Sequence, residues 1–183
     1  DGVPLWRRAV ALLEETGAGQ ILLSAPASTG PEGFLGVERL PENVSWRPDQ
    51  IAWDGALPAI AELLADPADS VDRLVMAVDT PFLSPAILQR LIGSGGRGAV
   101  FEVDGEIEPL PMLLPSSCSA IADSLAASGE RSLRKFCAAC EQKGLLSRLS
   151  LAEDEIPMLK NINRPDDWAE AKRLGLSSDG DVV

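Results

Sequence analysis

The chain has 183 residues, 45% of them hydrophobic and 24% charged, an ordinary composition that suits one domain with a sizeable core. The 16 Lys and Arg are outnumbered by 28 Asp and Glu, for a formal charge of −12, and no basic run offsets it, which argues against a nucleic-acid partner. No apolar run approaches the roughly 20 residues of a membrane span, and no signal-peptide pattern opens the sequence, so a soluble, cytoplasmic protein without a membrane partner is expected.

The sequence contains no histidine. Ser-His-Asp and Cys-His nucleophile systems are therefore absent from it, as are His-ligated metals. What remains is carboxylate, amide, hydroxyl and Arg/Lys chemistry, which suits hard cations such as Mg²⁺ and phosphoryl or nucleotidyl transfer. A small anionic ligand would need backbone N–H groups, a divalent cation or a few focused basic side chains. Of the three cysteines, Cys137 and Cys140 form a C-x-x-C. With only Cys118 to help, they fall short of a four-thiolate zinc site. Their place inside an expected helix, rather than at a helix start after a strand, fits small buried residues better than a redox pair.

The first expected element is a helix over Pro4–Thr16, with Leu5, Val10, Leu12 and Leu13 as apolar positions and Gly17 and Gly19 to end it. Ile21–Leu23 reads as a short buried strand with Ser24 at its carboxyl end. Residues 25–54 are rich in Pro, Gly and polar residues and read as an irregular excursion, with one short strand near Val37. Leu57–Ala65 is a helix. Leu74–Val78 is a continuous apolar run that fits a strand buried on both faces. Ser84 and Pro85 cap a helix over Ala86–Ile92. Ala99–Val103 and Ile107–Leu114 flank the hairpin signal Asp104-Gly105. Helices follow over Ser116–Ala127 and Leu133–Glu141, then a strand over Leu145–Leu151. Arg164-Pro165-Asp166-Asp167 opens the last helix, through Arg173. A single domain over 1–176 and a disordered tail over 177–183 are expected. Alternation of helices and strands predicts an α/β fold with a mainly parallel sheet.

Four segments are candidates for chemistry. Asp79 directly follows the most apolar strand, at the carboxyl end, where open α/β sheets bind ligands. A carboxylate there offers a hard oxygen to Mg²⁺; the plainer reading is a turn or capping Asp. Asn161 and Asn163 flank Ile162 in an extended stretch, so both amides face one way and Ile162 the other. They could meet a ribose, a base edge or a metal, or simply serve a turn before a helix. Arg131, in Gly129-Glu130-Arg131-Ser132, could clamp a phosphate with its planar fork or be a solvated loop residue. Gly93–Gly98 is glycine-rich, but it runs from helix to strand, the reverse of a phosphate loop.

Taken in order, these pieces resemble the molybdenum cofactor guanylyltransferases and their nucleotidyltransferase relatives. Asp1-Gly2-Val3-Pro4-Leu5-Trp6 is similar to that family's "G-K-P-L" segment, and Ala77-Val78-Asp79-Thr80-Pro81-Phe82-Leu83 to its "C-D-x-P-F-L". Glu108-Pro109-Leu110 stands where "H-P-L" is usual. Gly129-Glu130-Arg131-Ser132-Leu133 resembles "G-x-R-x-L", and Asn161-Ile162-Asn163-Arg164-Pro165-Asp166-Asp167 resembles "N-x-N-T-P-E-D". The resemblance covers Asp1 to about Arg173.

The resemblance implies a three-layer Rossmann-like nucleotidyltransferase fold and transfer of GMP from GTP to molybdopterin or its molybdenum form, releasing pyrophosphate. The alternative readings are a cytidylyltransferase or sugar-phosphate nucleotidyltransferase of the same fold, or a degenerate, non-catalytic nucleotide-binding module. It implies that Asp79 binds the Mg²⁺ of the nucleotide, and that Ser24, Asp49 and Gly55 lie on the nucleotide side. It ties Arg131, Asn161 and Asn163 to activity or to the pterin side. Partners beyond GTP and molybdopterin would be other cofactor-biosynthesis or acceptor proteins.

The sequence departs from the family pattern at three places. "G-P-L-A-G" appears as Gly55-Ala56-Leu57-Pro58-Ala59, the histidine of "H-P-L" is Glu108, and the signature "L-A-G-G-x-S-x-R-M-G-x-x-K" has no counterpart. The resemblance places that signature before Asp1, on about 20 further residues that would form a strand and a phosphate loop.

Overall fold

A computed structural model describes residues 3–26, 40–49, 55–65, 71–173 and 176. Helix α1 (Leu5–Glu15) buries Trp6, Ala9 and Val10, a spacing that puts one apolar stripe on one face. It stops where Gly17 turns to φ +87°, letting the Gly17 and Ala18 N–H groups close on the Glu14 and Leu13 carbonyls. Strand β1 (Ile21–Pro26) then pairs in parallel with β2 (Val44–Asp49). Trp6, Val10, Ile21, Leu23 and Val44 form the core between α1 and this two-stranded sheet.

Strand β2 lies in the region expected to be irregular. The alternation that makes it a strand is present, with Val44 buried and Trp46 half-buried while Ser45 is exposed. Pro48 masks that pattern. It is tolerated because β2 has only β1 as a neighbour among the described residues, so the missing N–H interrupts no second ladder. The strand expected near Val37 and the tail over 177–183 lie outside the described residues.

The second sheet has the order β3-β5-β4-β6. It comprises β3 (Arg73–Val75), β4 (Gly98–Val103), β5 (Glu106–Leu114) and β6 (Leu146–Ser150). β4 and β6 are parallel, and β5 is antiparallel to both β3 and β4. Thus β3, β4 and β6 run one way and β5 alone is reversed. The reversal comes from the tight turn at Asp104 (φ +53°) and Gly105 (φ +81°), the pair of positive φ values that a two-residue hairpin requires.

Alternation along the central strands separates two cores. Val100, Met112 and Leu114 point to one face, where α2 (Ala56–Leu64), α4 (Ser119–Ala127) and α5 (Leu133–Gln142) cover them with Leu57, Ile60, Ala122, Phe136 and Cys137. Ala99, Phe101 and Leu113 point to the other, against Ile87, Leu88 and Leu91 of α3 (Pro85–Ile92) and against Leu12 and Leu13 of α1. Helices on both faces of a sheet make three layers, and each large side chain buried this way contributes about 1.5–3 kcal/mol. The fold is α/β, as the alternation of elements predicts, with the three layers that the family resemblance implies; the strands pair in both senses, β1 with β2 and β4 with β6 in parallel and β5 antiparallel to its two neighbours.

Two details were not legible in the sequence. β3 ends at Val75, so the apolar run Leu74–Val78 is a short half-buried strand followed by a turn with Val78 exposed, not a strand buried on both faces. Strand β5 carries Pro109 and Pro111 because its ladder is interrupted there. Phe101 pairs with Glu108 and the adjacent Val100 with Met112, leaving three residues of β5 outside the register. Prolines are compatible with such a bulge and not with an uninterrupted central strand.

All three cysteines are free and buried. Burial pushes the Cys137 thiol up to about 12, and Cys140 is raised by its hydrogen bond with Cys118 and by burial. The C-x-x-C pair lies inside α5, as expected of a core element rather than a redox or zinc site.

Candidate active site

Asp79 stands on the turn that follows β3. The turn is held by the Thr80 hydroxyl, which donates to the Ala77 carbonyl at 2.9 Å from a buried position. Phe82 and Leu83 anchor the chain just beyond it, and Ser84 then caps α3 by accepting the Ile87 N–H at 3.3 Å. The hydroxyl cap and Pro85 at the first helical position start α3 immediately after the turn, so the aspartate is fixed between two regular elements. One carboxylate oxygen, Asp79 Oδ1, is buried without a hydrogen-bond partner among the described residues. A buried acceptor with no donor is uncommon and costly, and it is the arrangement expected where a ligand completes the bonding. Among the described residues no cluster of three or more Asp, Glu or Cys groups could hold a metal. A hard cation at Asp79 would therefore take one protein carboxylate and complete its shell with water and substrate oxygens, the mode common for Mg²⁺.

Asn161 and Asn163 come to the same place. The Ile162 N–H donates to the Asp79 carbonyl at 2.7 Å. The Ile162 side chain is buried at 6% exposure with Phe82 and Ala171, while both asparagines are exposed, so the strip has the alternation expected of it. The Phe82 and Trp168 rings meet edge to face at 5.7 Å, joining the Asp79 turn to the last helix, α6 (Pro165–Arg173).

Arg131 and Gly55 also meet, although 76 positions separate them. Gly55 starts α2 with φ +84°, and a Cβ placed there would lie 3.6 Å from Arg131 Cβ and 3.7 Å from its Cδ. The Arg131 guanidinium donates to the carbonyls of Ala126 (3.1 Å) and Glu130 (2.9 Å), which aim it. Glu130 fixes the loop in turn, its Oε1 accepting the Arg131 and Ser132 N–H groups while Oε2 pairs with Lys135 at 2.6 Å. The Lys135 ammonium and those two N–H groups hold the Glu130 carboxyl down at about 2. Ser24 and Asp49 lie in the carboxyl halves of β1 and β2, where Ser24 registers with Arg47 and Pro26 with Asp49.

The seven candidate residues thus fall into three groups: Asp79 with Asn161 and Asn163, Gly55 with Arg131, and Ser24 with Asp49. The contacts described lie within these groups. Thr80, Glu130, Ile162 and Asp167 support them and were not singled out from the sequence. The signals were faint: an acid three residues into a helix, and an apolar residue between two amides. A cavity of about 360 Å³ between α1 and Leu40–Pro41 is lined by Trp6, Arg7 and Glu14 among others, and none of the seven borders it. Among the described residues no helix is long and apolar enough to cross a membrane.

Comparison with known proteins gives the family of the chain. Residues 1–144 match the family model described as "MobA-like NTP transferase domain". A protein of Opitutus terrae named "Probable molybdenum cofactor guanylyltransferase" is 30% identical over 177 residues, covering 94% of this chain and 83% of that protein. A molybdenum cofactor guanylyltransferase of Xanthomonas euvesicatoria pv. vesicatoria is 29% identical over 173 residues, covering 92% and 80%. The crystal structure of molybdopterin-guanine dinucleotide biosynthesis protein A from Archaeoglobus fulgidus superposes with a TM-score of 0.66 at 19% identity, covering 93% of this chain and 85% of that one, a likeness of fold. The family match spans most of the chain, and the chain belongs to the MobA-like NTP transferase family.

Proposed function

We propose that the protein transfers GMP from GTP to the terminal phosphate of molybdopterin or its molybdenum form. The observation that carries this reading is the buried Oδ1 of Asp79, unpartnered among the described residues, on the turn that follows β3, in a chain of nucleotidyltransferase family with relatives that bear the guanylyltransferase name.

In the reaction a phosphate oxygen of the acceptor forms a bond to the α-phosphorus of GTP. The bond from that phosphorus to the α,β-bridging oxygen breaks, and pyrophosphate leaves with the electron pair. The attacking phosphate is already anionic near neutral pH, so no side chain need remove a proton, in keeping with a sequence that has no histidine. Asp79 would hold Mg²⁺, which when bound neutralises charge on the phosphates. Arg131 would present its guanidinium fork to a phosphate. Gly55, having no Cβ, leaves room beside that arginine for a ligand to approach the backbone. Ser24 and Asp49 would face the nucleoside, and the exposed amides of Asn161 and Asn163 would orient the acceptor beside Asp79.

The test is pyrophosphate release by the full-length protein with Mg²⁺, molybdopterin and either GTP or CTP, for wild type and Asp79→Ala. Release with GTP alone, lost in Asp79→Ala, supports the reading. Preference for CTP reassigns the base. Binding of GTP with no turnover by either protein assigns a non-catalytic nucleotide-binding module.

A further inference from the structure

We infer that Asp167 is a positioning residue for the proposed transfer: its carboxylate fixes the Asn161–Asn163 strip against the turn that carries Asp79. The inference rests on the proposed function for its consequence and on geometry for its cause. Asp167 Oδ2 accepts two backbone N–H groups, from Asn163 at 2.8 Å and Arg164 at 2.7 Å. These are short, charge-assisted bonds of the stronger class. They clamp the backbone of one of the two asparagines and of the residue after it. Next to this clamp, Ile162 is held twice, by its N–H on the Asp79 carbonyl and by its buried side chain against Phe82. Asn161 is preceded by Lys160, which is paired to Glu170 of α6 at 2.5 Å.

Among the described residues the strip has no sheet partner, so its conformation depends on these few contacts. Ile162 sets its depth and its distance from Asp79. Asp167 sets the backbone direction at Asn163, and with it the direction in which that amide projects. Without the carboxylate, the Asn163 and Arg164 N–H groups turn to water, and the exposed half of the strip is free to rotate about Ile162. A displacement of about 1 Å at a substrate-orienting group can cost on the order of 100-fold in rate. The effect should fall on the acceptor rather than on GTP, because the two Asp167 bonds go to the Asn163 and Arg164 N–H groups and neither goes to Ser24, Asp49 or Asp79, the proposed GTP contacts.

The experiment compares wild type, Asp167→Ala, Asp167→Asn, Asn163→Ala and the Asp167→Ala/Asn163→Ala double variant of the full-length protein. Transfer kinetics are measured with GTP and molybdopterin varied separately, alongside hydrogen exchange at the Asn163 and Arg164 amides. Asp167→Ala should speed both exchanges and lower kcat/KM for the acceptor by about tenfold or more, leaving the KM for GTP within about twofold. Asp167→Asn, whose amide oxygen can still accept both N–H groups, should recover most of the loss. The double variant should be no worse than Asn163→Ala alone, because the two residues act as one unit. If Asp167→Ala does not fold, Asp167→Ser carries the same comparison. Acceptor kinetics of Asp167→Ala equal to wild type, or losses that simply add in the double variant, overturn the positioning role while transfer by wild type stands. A wild type that transfers nothing overturns the proposed function and this inference together.

Discussion

Replacing Asp79 by Ala sets the stability of the fold against its proposed chemistry. In the free protein Oδ1 is buried with no donor to satisfy it. An unsatisfied buried acceptor costs about 1–3 kcal/mol, and truncation at Cβ removes that oxygen. The side chain is small and only partly buried, and the turn keeps the Thr80 hydroxyl on the Ala77 carbonyl and the Ile162 N–H on the Asp79 carbonyl, neither of which uses the Asp79 side chain. In metal-free buffer at neutral pH, Asp79→Ala should therefore be as stable as wild type or more so. The melting midpoint should rise by about 2–4 °C for each kcal/mol recovered in a chain of this size. Adding Mg²⁺ and GTP should reverse the order. A ligand at 100 times its Kd stabilises the native state by about 2.7 kcal/mol, a gain available to wild type and denied to the variant. Differential scanning fluorimetry with and without Mg·GTP reads both effects. A metal-free variant that melts well below wild type would show that Oδ1 is bonded in the free protein, and the argument from an orphaned ligand atom would fail.

Gly98 starts β4 where a Cβ would fall 2.3 Å from Leu146 Cδ2 and 2.5 Å from both the Leu113 carbonyl oxygen and Pro115 Cδ. Gly98→Ala should cost about 1–3 kcal/mol, towards the upper end because one obstacle is backbone, and chemical denaturation measures it. Glu130 has its folded pKa lowered from 4.5 to about 2, so its contribution is fully present above pH 4.5 and is lost as the pH falls towards 2. Glu130→Gln should flatten the stability profile across that window and leave its shape above pH 5 unchanged; an unaltered slope below 4.5 counts against the Lys135 and N–H contacts. Cys118, Cys137 and Cys140 should resist a thiol reagent at pH 8 in the native protein and all react once it is unfolded, since burial puts all three out of reach and raises the Cys137 thiol well above its ordinary range. Rapid labelling of any of them in the native state would show that the core between α5 and β5 opens.

Much of this protein was legible in its sequence because the signals are local. Ser84 before Pro85 starts a helix through one hydroxyl and one fixed φ, Asp104-Gly105 makes a hairpin through two positive φ values, and Gly17 ends α1. Alternation at Asn161-Ile162-Asn163 places the amides on one side without reference to any tertiary contact. The absence of histidine narrowed the chemistry to carboxylates, amides and fixed cations. The α/β class followed from the order of such elements.

What the sequence left open depends on neighbours distant along the chain. Pro48 was compatible with a strand only because β2 borders one partner among the described residues, and Pro109 and Pro111 only because β5 leaves the ladder there. The run Leu74–Val78 carries enough apolar character for a longer strand, yet pairing stops at Val75, where β5 also ends its register with β3. The approach of Arg131 to Gly55 and of Ile162 to Asp79 joins segments 76 and 83 positions apart. Composition and periodicity act over a turn or a strand length, whereas contacts at such separations are set by how the layers pack. The sequence thus marked the residues able to do chemistry, and the packing of α2, α5 and α6 around the strand ends decided which of them meet.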